Sequence, residues 1–481
     1  MKSIIYILSL VSILSLGLNR CKKVNQAPET NEPSEPLPDD DGFLISQKIG
    51  LSDFFEIPWN KDIGNNNYMN IRYSSLTGMR GTIFYIEPNK PNQVYHEDFY
   101  LESGIARSFN LIIGQEENKP LNSRFITHFR FANLENKLGE LKVKYLDFNV
   151  KNINEDLLFM DNGSLKIGVN LKWGGGLFYL AYKKEKVFQV DQHGKARIGI
   201  DYDQLENAVV SYSGDINLLN HHDVGRLVQQ SYYGTTLSPY VTGTYLGMSG
   251  LPYNPVQGGD QKENESKIVD FYSSGDTIYI KCQPRDWAPA TITPSYMENT
   301  YVLHEDYLEI NNRFIDYSLY VPEARDQELP AIYTVRNLDN WILYDGDKPF
   351  TGDELTISKT KGNDVAHRVI NQHIKENWAA LVNEQSFGVG IFVPGLHDGI
   401  LTTFGFSDAI TNKSDSDFGK PLSERNSTSY MTLTGKLAFR SLKPVAYTSY
   451  LAAGRVESMR STFYKLKQQG ANNQLLLNYD N

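Results

Sequence analysis

In the stretch Glu140-Leu141-Lys142-Val143-Lys144-Tyr145-Leu146-Asp147-Phe148, apolar and polar side chains take turns. Successive side chains of a strand point to opposite faces, so such alternation buries one face and wets the other. The same period runs through Arg124-Phe125-Ile126-Thr127-His128-Phe129-Arg130-Phe131, through Gly81-Thr82-Ile83-Phe84-Tyr85-Ile86, and through Ser108-Phe109-Asn110-Leu111-Ile112-Ile113. Turn residues such as Glu87-Pro88-Asn89-Lys90-Pro91 separate the pieces. The pattern predicts an antiparallel β-sandwich over residues 43–155.

A second run of strands begins at the hairpin turn Asp161-Asn162-Gly163. Strand-like segments follow at 164–171, 176–182, 186–190, 267–271, 277–282, 300–303, 307–314, 331–335, 378–382, 387–392 and 430–437. These are too many for one immunoglobulin-sized sandwich. They predict a large two-sheet sandwich over 156–481 and an all-β fold. One amphipathic helix is expected at 454–469, with Val456, Met459, Phe463, Tyr464 and Leu466 on its apolar face.

The amino terminus bears on the compartment. Met1-Lys2 is basic, 4–18 is mostly apolar, and Cys21 follows. This reads as a signal peptide over 1–20, too short for a stable membrane anchor. Cys21 suggests acylation as in bacterial lipoproteins, although Leu18-Asn19-Arg20 places a bulky charge where that motif has a small residue. The alternative is an ordinary exported protein that loses this peptide. Residues 21–42 hold Pro28, Pro33, Pro36 and Pro38 with many polar residues, and read as a flexible tether. The expected place is the cell envelope, with a lipid as the one membrane contact.

Composition narrows the partner. A net charge of -10 argues against nucleic acid, which needs clustered Lys and Arg. The 30 Tyr and 23 Phe suit β-structure and sugar-facing surfaces. If Cys21 carries lipid, Cys282 has no disulfide partner, and its alternating strand makes it a buried small hydrophobe.

The segment 215–234 packs His221, His222, Asp223, Arg226, Gln229, Gln230, Tyr232 and Tyr233 together. Such groups are costly to bury unpaired, so they face solvent or line a polar cleft. Arg226 can fork onto an anionic substrate group, Gln229 and Gln230 can read hydroxyls, and Tyr232 and Tyr233 can stack on a sugar. Alternatively Asp223 and Arg226 pair with each other. Adjacent histidines on a strand point apart, and neither HExxH nor CxxC occurs, so no metal is expected. A second cluster holds Arg285, Asp286 and Trp287, either a sugar subsite or an Arg285–Asp286 pair in a surface turn. A third, 321–330, sets acids and an arginine just before a strand at Ala331, includes Asp326 and Glu328, and is either a catalytic acid cluster or a solvated charged loop. Crowded acids repel, which drives their pKa values apart, as a general acid and base require. Glu298 and His397 are lesser candidates, each in a turn. Trp173 precedes Gly174-Gly175-Gly176, which lacks the Lys-Ser/Thr of a phosphate loop and allows a tight bend or close approach to a ligand. No cofactor is implied.

The strand order over 43–155, with Met69-Asn70-Ile71-Arg72-Tyr73 early and the Gly139 strand last, is similar to jelly-roll carbohydrate-binding modules. Trp173-Gly174-Gly175-Gly176, Asn217 to Arg226, Gln229 to Tyr233, Asn254-Pro255-Val256-Gln257-Gly258-Gly259-Asp260, Ala324 to Ala331 and Glu376 to Val382 together resemble the galactose-mutarotase-like superfamily. That resemblance implies a twisted supersandwich with a sugar-binding concave face. The superfamily hosts epimerases, hydrolases and lyases, so it speaks to ligand class more than to reaction.

The leading expectation is a glycoside hydrolase with paired carboxylates: Glu328 or Asp326 on one side, Asp223 or Asp286 on the other. Arg226, Gln229 and Arg285 would hold the sugar. The alternatives are a polysaccharide lyase, with Tyr232 or Tyr233 and His221 or His222 taking a proton beside a uronate that Arg226 neutralises, and a glycan-binding lipoprotein without catalysis.

Overall fold

The alternating segments pair into long antiparallel ladders. The computed structural model describes residues 43–51, 53–115, 124–153, 155–183, 188–190, 196–198, 217–219, 224–236, 243–245, 248–335, 338, 340–359, 370–383, 385–396, 400–405 and 428–471. Cys21, the expected signal peptide and the expected tether lie outside these residues.

One four-stranded sheet runs, in spatial order, Ile45–Ile49, Gly139–Asn149, Tyr68–Ser75, Gly104–Ile112. The other runs Phe54–Gly64, Arg124–Asn133, Met79–Glu87, Lys90–Leu101. Their inward rows, including Met69, Ile71, Ile83, Phe99, Phe129, Phe131, Leu141 and Val143, close one core. The sequence period slips at Lys144-Tyr145, and there the register against Tyr68–Ser75 shifts, from Arg72 opposite Tyr145 to Tyr73 opposite Val143. The bulge restores the inward aim of Leu146 and Phe148.

Two larger sheets form a second sandwich. The eight-stranded sheet has the order Thr291–Ile292, Arg285–Asp286, Pro255–Val256, Gln229–Ser231, Arg325–Val335, Thr428–Leu437, Ile400–Gly405, Ile370–His373. The nine-stranded sheet has the order Lys267–Ser274, Thr277–Gln283, Ser295–Leu303, Leu308–Asp316, Val445–Arg455, Phe387–Phe392, Trp378–Val382, Asn340–Leu343, Thr356–Lys359. Ile280, Ile310, Leu329, Ile332, Met431, Leu433 and Leu451 fill the space between them. The fold is all-β, with the helix Val456–Gln468 laid on the nine-stranded sheet. Its Val456, Met459, Phe463 and Leu466 pack on Trp378, Ala380 and Phe392.

The outer face of the nine-stranded sheet also meets the first sandwich. Val269, Tyr296, Ile315 and Tyr317 join that sandwich's core. The Tyr296 hydroxyl accepts the Tyr100 N–H at 2.8 Å, and Asp270 accepts from Tyr68 at 2.7 Å and Asn110 at 3.1 Å. Residues Phe43–Asn481 form one compact unit.

Two expectations change. Residues 325–330 are strand, not acidic loop: Arg325–Val335 is continuous, with Gln327 and Leu329 inward. The bend at Gly174 and Gly175 serves packing between protein segments. Both residues have positive φ, +57° and +72°, and a Cβ on Gly174 would sit 2.0 Å from the Gln257 carbonyl oxygen. Cys282 is a buried free thiol in the core, and burial pushes its pKa up.

Candidate active site

Strand Arg325–Val335 runs through the middle of the eight-stranded sheet. Its alternation sends Leu329 into the core and sets Asp326 and Glu328 on the outer face. Asp326 is exposed and Glu328 half-buried. Glu328 lies opposite Ser231 on one neighbour and Thr434 on the other. The register against Thr428–Leu437 then shifts between Glu328 and Ile332. Such irregularities re-aim side chains next to functional sites.

Hydroxyls surround Glu328. Tyr430 donates to Glu328 Oε1, and Tyr233 donates to the same oxygen at 3.4 Å. The Ser231 hydroxyl also engages the carboxylate. The Tyr333 ring lies 4.7 Å from that of Tyr430. Gln327, fully buried, clasps Tyr233 at both backbone groups: its Oε1 accepts the Tyr233 N–H at 2.8 Å, and its Nε2 donates to the Tyr233 carbonyl at 2.8 Å.

Burial pushes the Glu328 pKa up, and the hydroxyls of Tyr430, Ser231 and Tyr233 pull it back in part; the net direction is upward. The negative charge of Glu328, with burial, holds the Tyr233 phenol well above its usual value. Burial, then Glu328, does the same to Tyr430. Both phenols therefore stay protonated and act as donors. The upward shift lets the carboxyl keep its proton to higher pH than a free glutamate does, and the protonated form can donate to a bound oxygen.

The other candidates separate. His221, His222, Asp223 and His397 lie outside the described residues. Arg226 is half-buried beside Leu227, which packs with Phe178 and Tyr179. Gln229 and Gln230 do not face a sugar: Gln229 Oε1 accepts the Gly258 N–H at 2.8 Å, and Gln230 binds the Glu298 carbonyl, Asn299 and Tyr232. Both side chains are buried, and each amide oxygen is already engaged within the protein. Tyr232 is no stacking platform either, being in the core against Phe314 and Phe439.

Asp286 does not pair with Glu328. Three strand steps separate them across Pro255–Val256 and Gln229–Ser231, about 14 Å at the usual spacing. Glu328 is in line with Ser231, Val256 and Arg285, so Asp286 points to the opposite face. It is buried, accepts the Asn254 N–H at 3.1 Å, and burial raises its pKa to about 6. Arg285 turns away from it, donating to the Glu265 carbonyl at 2.6 Å and lying 3.6 Å from Asp260. Trp287 is half-buried and tied through its backbone to Asn254 and Gln261. Trp173 is half-buried against the Phe178 cluster.

Glu298 is mid-strand, not in a turn. It is clasped by Arg313 at 2.7 Å, Lys281 at 3.3 Å and the Tyr279 hydroxyl at 3.2 Å. Burial would raise its pKa, but the two cations win and hold it at about 2. Among the described residues no group of three or more His, Cys, Asp or Glu is placed to hold a metal ion.

Tyr430, Tyr333, Ser231 and Gln327 were missed as site residues. One signal was available. Met431 and Leu433 point inward at alternate positions of the strand Thr428–Leu437, and Tyr430 directly precedes Met431, so parity places it on the outer face.

No family model matches the chain, and no curated protein matches it. Solved structures do. A putative aldose 1-epimerase from Escherichia coli K12 is similar over 62% of this chain and 98% of its own, at 10% identity and a TM-score of 0.35. GH36 alpha-galactosidase AgaB from Geobacillus stearothermophilus is similar over 63% of this chain and 40% of its own, at 9% identity and a TM-score of 0.32. A TPR-domain containing protein from Parabacteroides distasonis is similar over 86% of this chain and 56% of its own, at 9% identity and a TM-score of 0.32. The chain thus spans less than two thirds of the latter two. The all-β two-sheet architecture stands on the strand pairing described above.

Proposed function

We propose that this chain is a carbohydrate-active enzyme that hydrolyses glycosidic bonds, with Glu328 as general acid and Asp326 as general base. One observation carries the reading: Glu328 is a half-buried carboxyl on an outer sheet face, its pKa raised, held by neutral hydroxyls and by no cation among the described residues. An acid so placed keeps its proton to higher pH than a free glutamate and has it available for transfer. Asp326 lies two residues away on the same face, about 7 Å along the strand. That backbone spacing is on the scale of the roughly 6.5–9.5 Å between carboxyl groups that leaves room for a water in inverting glycosidases.

In the reaction, the glycosidic C–O bond breaks and its electron pair goes to the leaving oxygen, which takes the Glu328 proton. Water adds to the anomeric carbon from the other side and gives its proton to Asp326. The lyase reading has less support, because Tyr233 is a hydrogen-bond donor with a strongly raised pKa, which is poorly suited to accept a proton.

The test is a panel of neutral and acidic polysaccharides read by reducing ends, ultraviolet absorbance and anomeric proton resonances. Expected are new reducing ends, no unsaturated uronide, and inversion. Glu328→Gln should lower turnover by about 10²–10⁴-fold, and Asp326→Asn comparably, with far-UV spectra unchanged. Full cleavage by either variant removes that residue from the mechanism, and an absorbing product replaces hydrolysis with elimination.

A further inference from the structure

The two carboxyl oxygens of Glu328 are not equivalent. Tyr430 donates to Oε1 from the strand Thr428–Leu437, and Tyr233 donates to that same Oε1 at 3.4 Å from beyond the other neighbouring strand. Neither phenol is loose. Tyr430 is buried, with its ring 4.7 Å from Tyr333. Tyr233 follows the strand Gln229–Ser231 and is held at both backbone groups by Gln327. A neutral carboxyl has one oxygen that accepts and one that carries hydrogen. Donors converging on Oε1 make it the accepting oxygen and place the acidic hydrogen on Oε2.

We propose that Tyr430 and Tyr233 are positioning residues that pin Oε1 of Glu328, so that Oε2 is the oxygen that hands the proton to the sugar. This rests on the reading of Glu328 as the acid and assigns the geometry by which it acts. The pinning has two consequences. It fixes the carboxyl plane, so the Oε2–H bond keeps one direction toward a bound glycosidic oxygen. It also favours the ionised form, since the phenols donate more strongly to a carboxylate than to an acid, offsetting part of the effect of burial.

Tyr430→Phe and Tyr233→Phe test this, each keeping the ring and removing one donor. Two readouts are needed. The first is the pH dependence of thermal stability, which requires no activity. The folded-state pKa of Glu328 lies above its unfolded value, so the folded form binds more protons between the two and stability declines as pH rises through that window. Removing a phenol raises the folded pKa further, so in Tyr430→Phe the decline should continue by roughly one pH unit more. Glu328→Gln should lack this component. The second readout is the pH–rate profile. The alkaline limb that reports loss of the Glu328 proton should move upward by a similar amount, with kcat down about 10-fold and KM within about twofold.

Stability titrations and rate limbs that superimpose on wild type in both Phe variants overturn the pinning. A loss of kcat with no movement of either titration also overturns it, leaving the phenols with a packing role. If wild type turns over no glycan while the stability titration of Tyr430→Phe shifts as stated, the hydrolase reading has failed and the pinning has not.

Discussion

Glu298 and Glu328 sit mid-strand on the outer faces of the two sheets of the larger sandwich, and the protein treats them in opposite ways. Glu298 lies between Lys281 and Arg313, and its pKa is held at about 2 despite burial. Arg313 reaches on to Glu102 of the first sandwich at 2.6 Å. That acid is permanently ionised and works as a clamp between the two sandwiches. Glu328 has tyrosines and a serine around it, and its pKa moves up. Cations suit an acid that has only to stay charged. Neutral donors suit one that has to exchange a proton. Burial alone does not separate the two roles; the charge of the neighbours does.

The largest effect that can break this contrast is on stability. Glu298→Gln leaves Lys281 and Arg313 facing a neutral amide in a mostly buried site, and should cost about 3–5 kcal/mol at pH 7. Because the Glu298 pKa is depressed, its contribution is complete above the unfolded value of 4.5 and is lost as pH falls toward about 2. The gap between variant and wild type in urea denaturation should therefore narrow through that acid range. If Glu298→Gln is neutral at pH 7, or costs less than Glu328→Gln, the assignment of clamp and acid is wrong.

Asp286 sharpens the same contrast from a third position. It is buried with one backbone N–H as partner, and burial raises its pKa from 3.8 to about 6. The folded protein binds a proton there more tightly than the unfolded chain does, so stability declines as pH rises between those values. The rise corresponds to about 3 kcal/mol. Asp286→Asn should therefore raise the melting temperature at pH 8 and leave it unchanged near pH 3. A variant less stable than wild type at pH 8 would show that the carboxylate is stabilised by a partner it does not have among the described residues, and the role of neighbouring charge would need revision.

Much of the fold was legible because period two survives in one-sided strands. Tyr68–Ser75, Arg124–Asn133 and Gly139–Asn149, each buried on one face, stand where the pattern put them. Val445–Arg455 was not read, although it lies at the centre of the nine-stranded sheet. It is covered on both faces, by the core and by the helix, so it shows no alternation. Arg325–Leu329 resembles a charged loop in the sequence because its charges hide a strand whose Asp326 and Glu328 face out. In the site, the acid was legible and its setting was not. Ser231 reaches Glu328 by strand register and Tyr430 by a side-chain bond from the strand registered on the other side, across 97 and 102 positions of chain. Register is a tertiary property that a single sequence does not display. Gln229, Gln230 and Tyr232 misled for another reason: a polar group satisfied inside a core and one waiting for a ligand are the same letter.

Tyr232 and Tyr233 offer the smallest and most local test. They are neighbours with opposite facing, the first in the core with its hydroxyl on Gln230 Oε1 at 2.8 Å, the second on Glu328. Tyr232→Phe removes the buried hydrogen bond to Gln230 and the longer 3.5 Å contact with the Tyr447 hydroxyl, while Gln230 keeps its bonds to Glu298 and Asn299. The expected cost is about 1 kcal/mol in denaturant unfolding, with turnover and its pH profile unchanged. Tyr233→Phe should do the reverse, shifting the profile at little cost in stability. Were the two to trade effects, the outer face of the eight-stranded sheet would not be the functional one, and the search for a site would pass to the opposite face with Asp286.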